Sequence, residues 1–249
     1  MKLKSVWKFL FFIVASFVLA AILLTARQMA IIARLTKLTN YQVIPYTQKL
    51  EKPRLSVLFL GDSTAVGTGA AQPSQSTAGY FGRDFPDAEI DNVSRNGKKI
   101  HELLIELKDA TFKQYDLVVI QIGGNDIMRL TPLKNVQEDL VGVLQYVSRF
   151  GRHVVILHSG NVGIAPIFYW PFDVILAERS KSVRAIYRKC ANESGVVYVD
   201  LFSERNNDLF LKDIKRYYSG DLLHPSAEGY RFWYQRIRES LNDAGIDLN

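Results

Sequence analysis

Short runs of apolar and β-branched residues alternate with amphipathic stretches between residues 55 and 241. Each run has the length of a buried parallel strand, and the stretches between them repeat apolar residues at the helical spacing. The pattern predicts five strands, at residues 55–60, 88–94, 116–122, 153–158 and 196–200. It also predicts helices at residues 77–85, 99–108, 132–150, 172–194 and 226–241. Thr131 is the expected N-cap of the third of these helices, with Pro132 at its first position.

This alternation predicts an α/β fold, in which the five strands form a parallel sheet with helices on both faces. The ligand crevice of such a sheet lies outside the carboxyl ends of its strands. The chain has 249 residues. That length suits one domain of roughly 200 residues and a terminal extension.

The terminal extension contains an apolar segment. Residues 9–24 carry no charge, and three lysines precede them. With the next two residues, the segment approaches the ~20 residues that span a bilayer. We favour an uncleaved signal anchor over a signal peptide cut after Ala20, because apolar residues continue past that site without a polar region. A buried helix of a soluble protein is the third alternative.

We therefore expect three parts: a membrane anchor at residues 1–26, a juxtamembrane connector at residues 27–52 and the α/β domain at residues 53–249. Apolar residues at helical spacing predict that the connector either continues the spanning helix or lies at the membrane interface. The N-terminal lysines favour an N-terminus inside, although basic residues also follow the span. We expect the α/β domain on the outer side of the cytoplasmic membrane.

The charge distribution limits the classes of binding partner, and the cysteine content limits disulfide formation. The net charge is +6, but the basic residues are scattered and mixed with acids. This distribution suits an anionic membrane surface or an acidic substrate and disfavours nucleic acid. Cys190 is the single cysteine, so an intrachain disulfide is excluded.

The sequence predicts no metal and no bound cofactor. His153 and His158 lie an odd number of residues apart on one predicted strand, so their side chains face opposite sides of the sheet. No His-Glu-x-x-His motif, cysteine pair or phosphate-binding glycine loop occurs.

Candidate chemistry lies where the predicted strands end. Ser63 follows the first strand, Gly97 the second and Asn125 the third. Because the carboxyl ends of parallel strands share one edge, we expect these three residues to lie close together. Asp221 and His224 lie three residues apart in the loop before the last helix. That loop reaches the same edge if it folds over the sheet.

These residue types suit nucleophilic catalysis. A serine hydroxyl needs a base to take its proton, which His224 can supply, and Asp221 can hold the imidazole in the required tautomer. The backbone N–H groups of Ser63 and Gly97 and the side-chain amide of Asn125 can stabilise an oxyanion. Each motif alone also fits an ordinary turn or helix cap. Their joint placement on one edge favours a catalytic site.

In these blocks the sequence resembles the SGNH hydrolases, a branch of the GDSL esterases and lipases. Gly61-Asp62-Ser63 matches the first family block, Gly97 the second, Gly123-Gly124-Asn125-Asp126 the third and the Asp221/His224 pair the last. The resemblance implies a flavodoxin-like three-layer α/β/α sandwich, Ser63 as nucleophile, Asn125 as oxyanion donor and no metal. It covers residues 55–241. Thr64 stands where the name-giving motif has leucine, at a position that is not catalytic.

An aromatic segment leaves the same sheet edge after the fourth strand. Phe168, Tyr169 and Trp170 are candidate substrate contacts that line an acyl or sugar pocket, although the segment could also enter the membrane or pack on the next helix. We expect a membrane-anchored esterase acting on lipid or lysophospholipid esters. Alternatives are a carbohydrate O-acetyl esterase, an acyltransferase and a non-catalytic envelope binding module.

Overall fold

The computed structural model describes residues 2–39 and 44–248. The chain divides into two compact units, residues 1–41 and 42–249. In the first unit, helix α1 (Lys2–Thr39) contains a 25-residue segment, Val6–Ala30, that is long and apolar enough to cross a membrane. The segment lies near the N-terminus, where a membrane anchor and a signal sequence share these properties. The helix continues without a break through the first part of the expected connector.

The second unit is built on a sheet of five parallel strands in the order β2-β1-β3-β4-β5. The strands are β1 (Leu55–Gly61), β2 (Ala88–Asn92), β3 (Tyr115–Gln121), β4 (Gly151–Leu157) and β5 (Val197–Val199). The central strands β1 and β3 are buried along almost their whole length, with Val57 paired to Leu117 and Phe59 to Val119. Burial on both faces explains why these strands are continuous apolar runs.

Helices cover both faces of the sheet. In chain order they are α2 (Ser63–Val66), α3 (Thr77–Asp84), α4 (Ile100–Asp109), α5 (Gly124–Met128), α6 (Leu133–Val147), α7 (Phe172–Ser194), α8 (Leu209–Lys212), α9 (Ile214–Tyr217) and α10 (Ala227–Asp243). Helices α4, α6 and α7 pack side by side in one layer, and α3 packs against α10 in the other. The predicted α/β sandwich with a five-stranded parallel sheet is confirmed.

Some predicted boundaries were wrong by a few residues. Strand β2 ends at Asn92 instead of residue 94, because the Asn92 side chain bonds the Ser94 N–H and the Ala65 carbonyl and turns the chain away. Helix α6 begins at Leu133, so Pro132 is the residue that precedes the helix, and Thr131 does not cap it. The four short helices α2, α5, α8 and α9 were not predicted, since each is too short to show a periodic pattern.

The strand order decides where a ligand can bind. From β1 the chain moves outward to β2, then returns to place β3 on the other side of β1. Connections that leave β1 and β3 therefore run in opposite directions and open a crevice at the carboxyl ends of these two strands. Ser63 follows β1 and Asn125 follows β3, so both lie at this crevice.

Candidate active site

The turn from β1 into α2 presents Ser63 at the start of a short helix. Gly61 packs directly on the neighbouring strand: a Cβ there would lie 1.9 Å from the Gln121 carbonyl oxygen, so only glycine fits. Asp62 caps the helix by accepting hydrogen bonds from the backbone N–H and the hydroxyl of Thr64. This cap uses the Thr64 N–H and leaves the Ser63 N–H without an acceptor among the described residues.

The loop before α10 brings His224 to the nucleophile. The Nε2 atom of His224 lies 2.8 Å from the Ser63 Oγ, and its Nδ1 lies 2.6 Å from Asp221 Oδ2. Asp221 and His224 are both buried, with 2% and 6% of their surface exposed. A continuous hydrogen-bonded relay therefore connects the Asp221 carboxylate to the Ser63 hydroxyl.

Asp221 is held by four donors. Its Oδ1 accepts hydrogen bonds from the Ser219 hydroxyl at 2.6 Å and from the backbone N–H groups of Leu223 and His224, both at 2.9 Å. Its Oδ2 faces the His224 ring. Burial by itself raises the pKa of Asp221. The hydrogen bond and the electrostatic attraction of His224, with the hydrogen bonds from Ser219 and Leu223, outweigh burial and lower this pKa to about 2. The group is therefore a carboxylate at neutral pH. Sequence reasoning had not singled out Ser219.

The three expected oxyanion donors lie on connected segments. Gly97 has a φ of +76°, which glycine adopts without strain, and its N–H has no acceptor among the described residues. The Asn125 side-chain amide donates to the carbonyl of Lys98, the residue after Gly97, at 3.2 Å. This bond holds Asn125 beside the Gly97 loop, and the second N–H of the amide stays available. The Arg95 N–H donates to the Gly61 carbonyl, so the Gly97 loop is also tied to the end of β1.

Buried polar groups support the turn that carries Asn125. The Tyr187 hydroxyl donates to the Ile122 carbonyl at 2.8 Å, just before the glycine pair. The neighbouring Asp126 accepts a hydrogen bond from the Ile100 N–H, which joins the start of α4 to α5. Burial raises the pKa of Asp126 and also that of Asp62, whose Oδ2 has no hydrogen-bond partner in the described part of the chain. Two buried carboxyl groups with raised pKa values therefore lie beside the candidate nucleophile and oxyanion donor.

A cavity of about 290 Å³ opens at Ser63, Asn125 and His224. Its polar lining includes Asn161 and Asp200. The apolar part of the lining comes from the connections that follow β3, β4 and β5 and from α10: Met128, Val162, Ile164, Ala165, Leu201, Phe202, Leu209, Phe210, Tyr218, Phe232 and Trp233. The contributions of residues 200–210 and of α10 were missed, because nothing in their residue types distinguishes a cavity wall from ordinary core.

The aromatic residues expected to contact substrate lie outside this lining. Phe168 is buried, whereas Tyr169 and Trp170 are 62% and 73% exposed. From the same segment, Ile164 and Ala165 do line the cavity. The structure thus places the start of the segment at the cavity and its aromatic residues beyond it. Their contact with substrate stays a prediction.

The histidine at the end of β4 lies in the core. His158 is 1% exposed, accepts the Gly160 N–H on its Nδ1 and packs against the rings of Tyr187 and Tyr198. Burial lowers its pKa to about 4, so it is neutral at physiological pH. Within the described ranges, no three side chains of His, Cys, Asp or Glu are arranged to hold a metal ion.

A serine, a histidine and a carboxylate lie in one hydrogen-bonded chain at the carboxyl edge of a parallel sheet, an arrangement typical of α/β serine hydrolases. The chain belongs to the GDSL-like lipase/acylhydrolase family, whose family model matches residues 59–232. Membership confirms the resemblance noted in the sequence and identifies the protein as an esterase-type enzyme. A comparison with curated protein sequences finds no significant match.

Solved structures share the fold at low sequence identity. TesA is 20% identical, with a TM-score of 0.58, and the alignment covers 76% of this chain and 98% of TesA. A catalytic mutant of Axe2, an acetylxylan esterase from Geobacillus stearothermophilus, is 17% identical with a TM-score of 0.56, over 78% and 96%. A lipolytic G-D-S-L family protein from Veillonella parvula is 18% identical with a TM-score of 0.57, over 74% and 96%.

Proposed function

We propose that the protein is a membrane-anchored serine esterase that acts through an acyl-enzyme. The observation that carries the proposal is the relay from Asp221 through His224 to Ser63, with distances of 2.6 and 2.8 Å. In the first step, Ser63 Oγ attacks the ester carbonyl carbon while His224 Nε2 takes the hydroxyl proton. The imidazolium that forms is stabilised by the ionised Asp221.

The tetrahedral intermediate places a negative charge on the former carbonyl oxygen. The N–H groups of Ser63 and Gly97 and the Asn125 amide are the donors for this oxyanion. As the intermediate collapses, His224 returns the proton to the leaving alcohol, and the acyl group remains on Ser63. A water molecule, deprotonated by His224, then attacks the acyl-enzyme and releases the carboxylic acid. An acyltransferase would differ only in this last step, with an alcohol in place of water.

Lipid or lysophospholipid esters are the proposed substrates. The cavity next to Ser63 has apolar walls that include Leu209, Phe210 and Phe232, which suit an acyl chain better than a sugar. The segment Val6–Ala30 supports the same assignment, because an anchor would hold the enzyme close to lipid substrates. We place this anchor at residues 1–26, the connector at 27–52 and the hydrolase domain at 53–249, with that domain on the outer side of the cytoplasmic membrane.

A carbohydrate O-acetyl esterase is the second candidate. The polar groups of Ser159, Asn161 and Asp200 in the cavity lining favour it, because they could bind sugar hydroxyls. Axe2, which has the same fold, is an acetylxylan esterase. Hydrolysis of acetyl esters of sugars with no turnover of longer acyl esters would select this candidate over lipid esters.

A fluorophosphonate probe tests the proposed nucleophile. We expect the purified full chain to be labelled and the Ser63→Ala variant to remain unlabelled, because the probe bonds to an activated serine oxygen. Ser159→Ala is the matched control, since Ser159 also lines the cavity but lies outside the relay. Absence of labelling in folded wild-type protein would contradict the enzymatic proposal. Labelling that persists in Ser63→Ala would contradict the assignment of Ser63.

A further inference from the structure

Six apolar side chains are exposed around the candidate active site. We call them the rim: Leu130, Tyr169, Trp170, Val174, Ile175 and Leu222. Leu130 follows α5, and Leu222 lies between Asp221 and His224. The aromatic pair directly precedes α7, and Val174 and Ile175 lie in its first turn. All these segments are on the side of the sheet where the strands reach their carboxyl ends, which is also the side of Ser63.

Two of the three segments that carry rim residues are connected by a backbone hydrogen bond. The Ile167 N–H donates to the Leu222 carbonyl at 3.2 Å, so the aromatic segment lies against the loop that carries His224. The Tyr169 carbonyl accepts hydrogen bonds from the N–H groups of Phe172 and Asp173, so the aromatic pair is held against the first turn of α7, which carries Val174 and Ile175. Five of the six rim residues therefore lie on two connected segments, and Leu130 follows α5 on the same side of the sheet.

The two leucines of the rim adopt an unfavourable backbone conformation. Leu130 has a φ of +52° and Leu222 a φ of +61°, and within the described residues no other non-glycine residue has a positive φ. Glycine or asparagine adopts this conformation at lower cost. The leucine side chains are nevertheless 54% and 36% exposed, so packing inside the protein does not explain them.

Positive charge accompanies the rim. Arg129, Lys212 and Lys215 are exposed, and none of them forms an ion pair with a described residue. Arg129 precedes Leu130 in the sequence. Its guanidinium lies close to Gly97, since a Cβ built on Gly97 would be 3.5 Å from a guanidinium nitrogen of Arg129. The two lysines lie on α8 and α9, just before the loop that carries His224. An exposed apolar surface, accompanied by cations that form no ion pair among the described residues, is complementary to a layer of anionic headgroups above acyl chains.

We propose that the rim docks residues 44–248 onto an anionic phospholipid bilayer, with the carboxyl edge of the sheet facing the membrane. Trp170 and Tyr169 enter the headgroup level, where amphipathic aromatic rings are favoured, and the aliphatic residues reach the upper acyl chains. Arg129, Lys212 and Lys215 face lipid phosphates. The proposal rests on the proposed anchoring through Val6–Ala30, which keeps the domain near a bilayer. Docking would let an ester enter the cavity from the lipid phase instead of from water.

Fluorescence of Trp170 in vesicles tests the docking. The probe protein is the full chain with Ser63→Ala, so that vesicle lipids are not consumed, and with Trp7→Phe, which removes the tryptophan of the apolar segment. Trp233 lines the cavity that lipid would enter, so its contribution is measured in the same protein with Trp170→Phe and subtracted. In vesicles of phosphatidylcholine and phosphatidylglycerol, we expect brominated acyl chains to quench the Trp170 emission, and we expect the emission to lie at shorter wavelength than in detergent.

A tryptophan placed elsewhere provides the control. Ile105 is 47% exposed on α4, away from the rim, so Ile105→Trp combined with Trp170→Phe should show no quenching. Equal quenching at both positions, or none at Trp170, would overturn the docking proposal. Ile175→Glu should reduce the quenching of Trp170, whereas Ile105→Glu should leave it unchanged. Quenching that is insensitive to Ile175→Glu would also count against the rim.

Carbonate washing and cross-linking separate the possible causes of a negative fluorescence result. Retention of the protein in carbonate-washed vesicles reports the anchor, and a protein that washes off would contradict both the anchor and the docking. Because the probe protein is inactive by design, a failure of the proposed esterase activity leaves the fluorescence result unaffected. If Trp170 is not quenched and two chains can be cross-linked through rim positions, the rim binds a second copy of the chain. That result would overturn the docking proposal.

Discussion

Ser63 and His224 are separated by 161 positions in the sequence, yet the Oγ of one lies 2.8 Å from the Nε2 of the other. The contact depends on the central place of β1 in the sheet and on the loop before α10, which folds over the carboxyl edge. The proposed chemistry needs both residues, because a serine hydroxyl is a weak nucleophile unless a neighbouring base takes its proton.

Replacing the base should abolish turnover. We expect His224→Ala to lower kcat for p-nitrophenyl acetate by about 10³-fold or more, since Ser63 would lose its proton acceptor. His101→Ala is the control, because His101 is exposed on α4 and should leave the rate unchanged. Circular dichroism would verify that both variants fold. Turnover retained in folded His224→Ala would refute the relay.

Removal of an oxyanion donor should affect the rate more than binding. We expect Asn125→Ala to lower kcat by about 10²-fold to 10³-fold with little change in KM, because the Asn125 amide acts on charge that develops in the transition state. Asn192→Ala, on the exposed side of α7, serves as the control. Steady-state kinetics with a soluble ester separates the two parameters. A rise in KM alone would instead assign Asn125 to substrate binding.

The low pKa of Asp221 predicts a pH-dependent contribution to stability. The folded pKa of about 2 lies below the ordinary value of 3.8, so ionised Asp221 stabilises the fold above about pH 4. This contribution, about 2 kcal/mol, is lost as the pH falls from about 4 to about 2. Urea unfolding of the wild type and Asp221→Asn across this interval would measure it. The variant should lack this part of the pH dependence, and identical slopes would contradict the expected shift.

Filling the cavity should shorten the acyl chains that the enzyme accepts. Leu209 lines the cavity, so Leu209→Trp should reduce kcat/KM for long-chain esters by about tenfold or more and leave acetate esters nearly unaffected. Leu211→Trp, on the same helix but outside the lining, is the matched control. A series of p-nitrophenyl esters from acetyl to palmitoyl would reveal the change. An unchanged chain-length profile would exclude this wall as the acyl site.

Much of the fold could be predicted from the sequence, because apolar periodicity reports burial directly. The runs that became β1 and β3 are buried on both faces, and the helices α4, α6, α7 and α10 lie within a few residues of their expected positions. Element boundaries and short helices were harder to predict, because local contacts determine them. Asn92 ends β2 through side-chain hydrogen bonds to Ser94 and Ala65, and the short helices at Ser63 and Asn125 follow from the turns around them.

The fold class, the family and the candidate site residues could all be inferred from residue types in a fixed order along the chain. The distances within the relay, the four donors to Asp221 and the walls of the cavity became visible only in the folded chain. The tertiary structure also separated the cavity lining from the exposed Tyr169 and Trp170. These properties depend on how distant segments pack together, and an apolar residue has the same sequence signature in a core, a cavity wall or an exposed rim.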